Sequence, residues 1–419
     1  MITIAQGATW TIAAFAAGGV IARPWKWPEA VWAVLGAAAL VALALVPWPD
    51  ALRAIGRGTD VYLFLAGMMV LAELARQEGV FDWLASLAMR QARGSADRLF
   101  GMVFAVGTLV TVFLSNDATA VVLTPAVYAA TKAAKAEPLP YLFVCAFIAN
   151  AASFVLPISN PANLVVFGAQ MPPLRQWLGQ FAVPSILSIT ATYLALRFAQ
   201  RRSLRRPVAS MVEVTPLSVA GRLTAGGIGA AAVVLLAASA LGLRLGLPTA
   251  IAAAVIVGIV SCYRRQPPWR FLHAVSWSIL PLVAGLFGLV EGLARTGVIG
   301  DLTEALQTAA ANSTGAASWT AGLAAAAACN LMTNLSVGLV AGSMINTATL
   351  PSGIASALLL IGVDLGPNLS VTGSLATILW LIALRREGQE VSGWRFLQLG
   401  LLVTTPALLL ALSSLAQRR

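Results

Sequence analysis

Ala66-Gly67-Met68-Met69-Val70-Leu71-Ala72-Glu73 returns 218 positions later as Ala284-Gly285-Leu286-Phe287-Gly288-Leu289-Val290-Glu291. The match resumes at Gly79-Val80 and Gly297-Val298, and Leu114-Ser115-Asn116 falls on Met332-Thr333-Asn334 in the same register. The apolar runs 2–22 and 30–47 likewise fall on those at 222–242 and 248–262. A register kept over such a distance marks two copies of one unit. The copies are residues 1–200 and 222–419, joined by a basic linker at 201–221. Internal repeats of this size characterise secondary transporters, whose substrate lies at the repeat interface near the bilayer midplane.

Composition agrees. Hydrophobic residues make up 59% of the chain and charged residues only 10%, against roughly 25% charged in soluble proteins. The mean hydropathy is +0.84. Runs such as Ala30–Trp48, Phe181–Phe198 and Leu397–Leu415 approach or reach the about 20 residues that a helix needs to cross the hydrocarbon layer. Ala and Leu dominate them, so they read as helices rather than barrel strands. The run at 2–21 has no basic segment before it and no small-residue cleavage site after it, and reads as a retained span.

The expected fold is an all-α polytopic membrane protein of two inverted repeats. In the first half, spans cover 2–22, 30–47 and 60–77. The segment 98–135 is interrupted by Ser115-Asn116-Asp117 and reads as a re-entrant hairpin. A helix from 139 to 169 is broken at Pro157–Asn163, and a last span covers 178–199. Each unit crosses five times, which inverts the second relative to the first and gives about ten crossings, two hairpins and two broken helices. A competing arrangement takes every hairpin arm as a span, with about twelve crossings and both termini inside.

The formal charge of +11 reads as membrane orientation, not as a nucleic-acid footprint. Arg201, Arg202, Arg205 and Arg206 place the linker in the cytoplasm. The loops that ten crossings assign to that side collect Arg23, Lys26, Arg90, Arg93, Arg98, Lys132, Lys135, Arg264, Arg265, Arg270, Arg385, Arg386 and Arg395, and both termini fall on the periplasmic side of the inner membrane. Cys145, Cys262 and Cys329 have unrelated spacings and form no metal motif. With His273 as the one histidine, no multi-histidine metal site, Ser–His–Asp set or HExxH motif exists. The reading is therefore a transporter without a cofactor, not an enzyme.

Polar clusters interrupt the apolar sequence at Ser115–Thr119, at Asn330 with Thr333–Ser336, at Asn150 with Ser159–Asn163, and at Asp364–Asn368. Unwound backbone at membrane depth is tolerated only where protein or a wet cavity satisfies it. Pro161 and Pro367 each remove a helical hydrogen bond. An Asp at the bilayer centre costs about 2.5–3.5 kcal/mol on insertion scales. Against this stands the bland role of polar side chains, helix–helix hydrogen bonding at about 0.6 kcal/mol each. Four clusters at matching places in two repeats favour a site. Ser115, Asn116, Thr119, Asn160, Asn163, Thr333, Asn334, Ser336 and Asn368 are the expected substrate-binding residues. Asp117 and Asp364 are the expected proton carriers, since a dry interior favours a protonated carboxyl group. Glu73 and Glu291 read as ion-paired near Arg76 and Arg295, and the tryptophans near span ends as interfacial anchors.

Ser115-Asn116-Asp117-Ala118-Thr119-Ala120-Val121-Val122-Leu123-Thr124-Pro125 resembles the NDGAALILTP segment of the ArsB family of bacterial arsenite efflux permeases. Asp364-Leu365-Gly366-Pro367-Asn368, with Gly373-Ser374-Leu375-Ala376-Thr377 and Leu379-Trp380-Leu381, is similar to that family's DLGPK and GSLATLLWL segments. Asn334-Leu335-Ser336 with Gly338–Gly342 resembles its NNLP and GLIAG segments, and Ser159-Asn160 with Asn163-Leu164-Val165 its SNLVNIV. The resemblance runs in order over nearly the whole chain. It implies export of arsenite and antimonite as neutral trihydroxides, by proton antiport alone or with an ATPase subunit of the ArsA type. This chain has no Walker sequence of its own. Two departures stand out: the family's second tip has a double Asn and a Pro where this chain has Thr333-Asn334 and Ser336, and its Lys after DLGP is Asn368. Rival readings are a sodium-coupled dicarboxylate or other anion carrier, whose substrate an acid at the Asp117 tip would repel, and a sodium/proton antiporter.

Overall fold

A computed structural model gives the fold and describes residues 3–206, 208–209, 216–347 and 354–416. Among these the regular structure is helical throughout. The first half contains α1 (Ile4–Ala22), α2 (Glu29–Ala42), α3 (Trp48–Arg57), α4 (Thr59–Gln77), α5 (Val80–Ala92), α6 (Ala96–Phe113), α7 (Thr124–Ala133), α8 (Leu139–Ala151), α9 (Pro161–Phe167) and α10 (Leu174–Gln200). The second contains α11 (Val219–Ala240), α12 (Gly246–Arg264), α13 (Trp269–Leu272), α14 (Ile279–Arg295), α15 (Val298–Asn312), α16 (Thr314–Met332), α17 (Asn334–Thr347), α18 (Ile354–Leu365), α19 (Leu375–Arg386) and α20 (Gly393–Ala416). The start and end signals recur with the elements. Ser95 and Ser313, 218 positions apart, cap α6 and α16, each accepting the amide three residues on at 3.3 Å. Such a cap satisfies one of the orphan N–H groups of a helix start.

The quoted repeat explains how the halves interlock. α4 packs against α12, and α14 against α2, so each half supplies a helix to the other. A Cβ placed on Gly67 would lie 2.8 Å from the Thr249 carbonyl oxygen, and one on Gly285 would lie 2.8 Å from that of Ala33. Only glycine lets backbones approach so closely, the small-residue logic of helix packing in membranes. α10 and α20, the last helices of the two halves, also pack on each other.

The chain folds back at both expected hairpins. Between α6 and α7 lie the tip, 114–117, and a π-helical turn, Ala118–Leu123. The Thr111 and Thr119 hydroxyls meet across this reversal at 2.8 Å. α16 and α17 are the corresponding arms of the second hairpin. The expected break in the first half shifts: α8 ends at Ala151, and irregular chain runs from there to α9. α5 and α15 are not expected from apolar run length. They are short helices with charged and apolar residues, and they follow α4 and α14 at Gly79 (φ 73°) and Gly297 (φ 87°). The expected linker, 201–221, and the end of the second repeat fall partly outside the described residues; α11 begins at Val219. Trp25, Trp27, Trp48, Trp269 and Trp394 are exposed, as membrane-interface anchors are. Trp177 and Trp380 are fully buried and donate indole N–H bonds to the Phe154 and Leu142 carbonyls, at 3.1 and 3.0 Å.

Candidate functional site

The polar interruptions are held by side-chain and backbone hydrogen bonds outside the helical pattern. At the first tip, Ser115 Oγ accepts from the Ala118 amide at 3.2 Å and restarts the helix. The Asp117 amide donates to Asn116 Oδ1 at 2.9 Å. Ser115, Asn116 and Thr119 are buried by this work, whereas Asp117 is half-buried. At the second tip the Asn334 amide donates to the Gly373 carbonyl at 2.9 Å, which seats the tip in the break between α18 and α19. Thr333 and Ser336 share a hydroxyl bond of 3.2 Å. Thr333 has φ 66° and ψ 151°, a region that costs a β-branched residue about 1–3 kcal/mol.

The breaks are joined to each other. Asn160 Oδ1 caps α9 by accepting the Ala162 amide at 3.0 Å, while its Nδ2 donates to Asp364 Oδ1 at 2.8 Å. Asn163 Nδ2 donates to the Ser153 and Leu156 carbonyls, at 3.0 and 3.3 Å, and so holds the chain between α8 and α9 open. Ser159 Oγ donates to the Val112 carbonyl at 3.0 Å, tying that break to the first hairpin. Asn368 Nδ2 donates to the Phe147 carbonyl and its Oδ1 accepts from Asn150 Nδ2, both at 2.9 Å. Asn150 belongs to this constellation and was not among the expected binding residues. Its position, 218 before Asn368, is the signal that could have found it. Asp364 is fully buried, and its Oδ2 has no hydrogen-bond partner among the described residues.

Two cavities flank the constellation, and they are copies of one another. The first, about 100 Å³, is lined by Asp117, Ser115, Pro161 and Leu379 together with Met69, Glu73, Val121 and Ile279. The second, about 960 Å³, is lined by Phe287, Glu291, Leu339 and Val61, which are the 218-shifted counterparts of those last four residues. The first lies toward the end of α4 that meets the linker side, where Arg264 binds Glu78 at 2.6 Å. The second lies at the opposite end, beside Thr59 and Arg244. A further cavity on the linker side, about 480 Å³, is lined by Gly79 and Asp82, the counterparts of Gly297 and Gly300 in the wide one. The image of the wide vestibule is thus divided in two, and its inner part is narrow.

Glu73 and Glu291 occupy equivalent positions in the two walls, and both are ion-paired, as their neighbours in sequence suggested. Glu73 accepts from Arg76 at 2.6 and 2.8 Å and from Gln77 at 2.6 Å. Glu291 pairs with Arg57 and, at 3.3 Å, with Arg295. The wide vestibule also carries Arg53 and Arg244; among the described residues no Lys or Arg lines the narrow inner cavity, and Arg264 lines the outer one. Cys329 is buried, with its thiol 3.6 Å from the Val363 carbonyl. Among the described residues no cluster could hold a metal ion.

Comparison with known proteins places this architecture. A family model described as citrate transporter, CitMHS, matches residues 12–363. The arsenical pump membrane protein of Escherichia coli K12 is 27% identical over 362 residues, covering 84% of each chain. The putative arsenical pump membrane protein of Bacillus subtilis is 23% identical over 422 residues, covering 94% of this chain and 95% of that one. Among solved structures, the Alcanivorax borkumensis YdaH transporter, described as having an unusual topology, superposes with a TM-score of 0.56 at 18% identity, covering 92% of this chain and 96% of that one.

Proposed function

The chain belongs to the CitMHS citrate transporter family, and from that premise we propose that it exports arsenite and antimonite across the inner membrane by proton antiport. It is a multi-pass membrane transport protein of the secondary-carrier type. The observation that carries the finer reading is the amide and hydroxyl network in which Asn160 grips Asp364 across two helix breaks. Arsenite near neutral pH is an uncharged trihydroxide. Its recognition needs groups that both donate and accept, which Asn, Ser and Thr supply, and no counter-charge. Ser115, Asn116, Thr119, Thr333, Asn334 and Ser336 at the tips, with Asn160, Asn163 and Asn368 at the breaks, are the proposed binding set. Asp117, open to a cavity, and Asp364, buried behind Asn160, are the proposed proton carriers. The names of the arsenical pump relatives support this substrate.

The proposed orientation has the linker in the cytoplasm, which makes the wide vestibule periplasmic. Solute enters at the narrow vestibule when that one opens, and leaves at the wide one. An ATPase of the ArsA type could dock on the cytoplasmic loops, but the cycle above needs none.

Arg53, Arg57 and Arg244 in the wide vestibule, together with the family description, favour a second reading: a carrier of an anion such as citrate or a dicarboxylate, coupled to protons or sodium. Everted membrane vesicles separate the two. Under the first reading an imposed pH gradient, acid inside, drives arsenite accumulation without ATP or sodium. Citrate or succinate transport with no arsenite accumulation establishes the second.

A further inference from the structure

Each half of the molecule contributes one membrane-embedded aspartate, and the two are not symmetry copies. The positions 218 residues from Asp117 and Asp364 are Leu335 and Ala146. Neither carboxylate belongs to any ion pair among the described residues. The charged group that shares Asp117's cavity is Glu73, already neutralised by Arg76. The groups against Asp364 are the Asn160 amide, the Ser153 hydroxyl and, from α16, the thiol of Cys329 directed at the adjacent Val363 carbonyl. No fixed cation therefore balances either carboxylate. Consecutive residues at the start of α9 touch both environments: Asn160 binds Asp364, and Pro161 walls the Asp117 cavity. Any movement of this break is felt at both acids.

We infer that the carrier moves two coupling cations, one on Asp117 and one on Asp364, for each neutral solute. The inference rests on the antiport reading above. An ionised carboxylate without a partner is costly in the dry part of a membrane, so the carrier returns inward only with a proton on each acid. On the outward leg the solute's O–H groups donate to the same two carboxylates, which then cross ionised. The cycle balances as one As(OH)3 leaving the cytoplasm while two protons enter it, with both Asp side chains returned to their starting state. Two positive charges cross inward per solute, so transport is electrogenic.

The test uses the full chain in liposomes, with voltage clamped by potassium and valinomycin, equal pH on both sides and no sodium. The voltage that halts net arsenite flux is measured as the arsenite gradient is varied. Two protons per solute require about 30 mV for each tenfold gradient; about 59 mV, the one-charge value, or no voltage dependence overturns the inference. A pH dye in the same liposomes counts two protons per arsenite, and a ratio of one overturns it equally. Asp364→Asn, where it still transports, moves the slope to the one-charge value, while Asp364→Glu keeps the wild-type slope; an Asn variant with an unchanged slope removes Asp364 from the count. Folded protein that passes no arsenite at any voltage refutes the antiport reading itself, a different result from a wrong slope.

Discussion

Asn150 Nδ2 donates to Asn368 Oδ1 at 2.9 Å, and the two residues are 218 positions apart. A side chain at one position of the repeat thus bonds the side chain at the same position of the other. Such a contact forms where the approximate two-fold axis relating the halves passes between them. It also ties the end of α8 to the break after α18, so the two breaks share one fixed reference point.

Asn368→Leu leaves the buried Asn150 amide without its acceptor, at a cost of about 1–3 kcal/mol. Thermal melting in detergent reads this as a lowered midpoint. The double change Asn150→Leu with Asn368→Leu removes both partners and recovers part of the loss. A single variant that melts like the wild type contradicts the bond's structural role.

Thr333 sits at positive φ at the second tip. Thr333→Gly and Thr333→Ala both delete the hydroxyl, but only Gly relieves the backbone. The Gly variant should be more stable than the Ala variant by about 1 kcal/mol. The reverse order in paired melting curves rules out strain at this position.

The close crossing of α4 on α12 gives a contrast between glycines. Gly67→Val drives side-chain atoms into the Thr249 backbone, whereas Gly229 on α11 has open space around it. The first should cost more than about 3 kcal/mol and yield aggregated protein on size-exclusion chromatography; Gly229→Val should run as the wild type. Two well-behaved variants would remove the packing argument for the repeated glycine.

The unequal vestibules predict unequal chemistry at equivalent positions. In a background with Cys145, Cys262 and Cys329 replaced by Ala, Phe287→Cys in the wide cavity reacts with a charged thiol reagent much faster than Met69→Cys in the narrow one. Both native side chains are half-buried, so the cavities account for the difference. Conditions that drive transport should narrow the gap. Equal rates throughout contradict an exchange between two images of one cavity.

Much of this is legible in the amino-acid sequence. The apolar runs at 2–22, 178–199, 222–242 and 248–262 lie on α1, α10, α11 and α12, helices long and apolar enough to cross a bilayer, which sets a length that a helix must meet. The run at 30–47 gives only α2, of 14 residues. The repeated Ala-Gly…Glu stretch gave the two halves because its glycine and its glutamate do the same work twice. α5 and α15 are not legible, since run length is blind to amphipathic helices such as Val80–Ala92, which carries Asp82 and Arg90 among its apolar residues. The end of α8 at Ala151 is not marked by its own residues: Asn163, in the first turn of α9, supplies the bonds that the carbonyls of Ser153 and Leu156 lose. The pairing of Asn160 with Asp364 is likewise invisible to any window of sequence, because 204 residues separate them.

The account depends most on an acid at the first hairpin tip that takes up a proton as the solute is expelled. Arsenite accumulation in everted vesicles, driven by a pH gradient, should therefore vanish in Asp117→Asn while the variant keeps the wild type's expression and melting midpoint. Undiminished accumulation by that variant would contradict it.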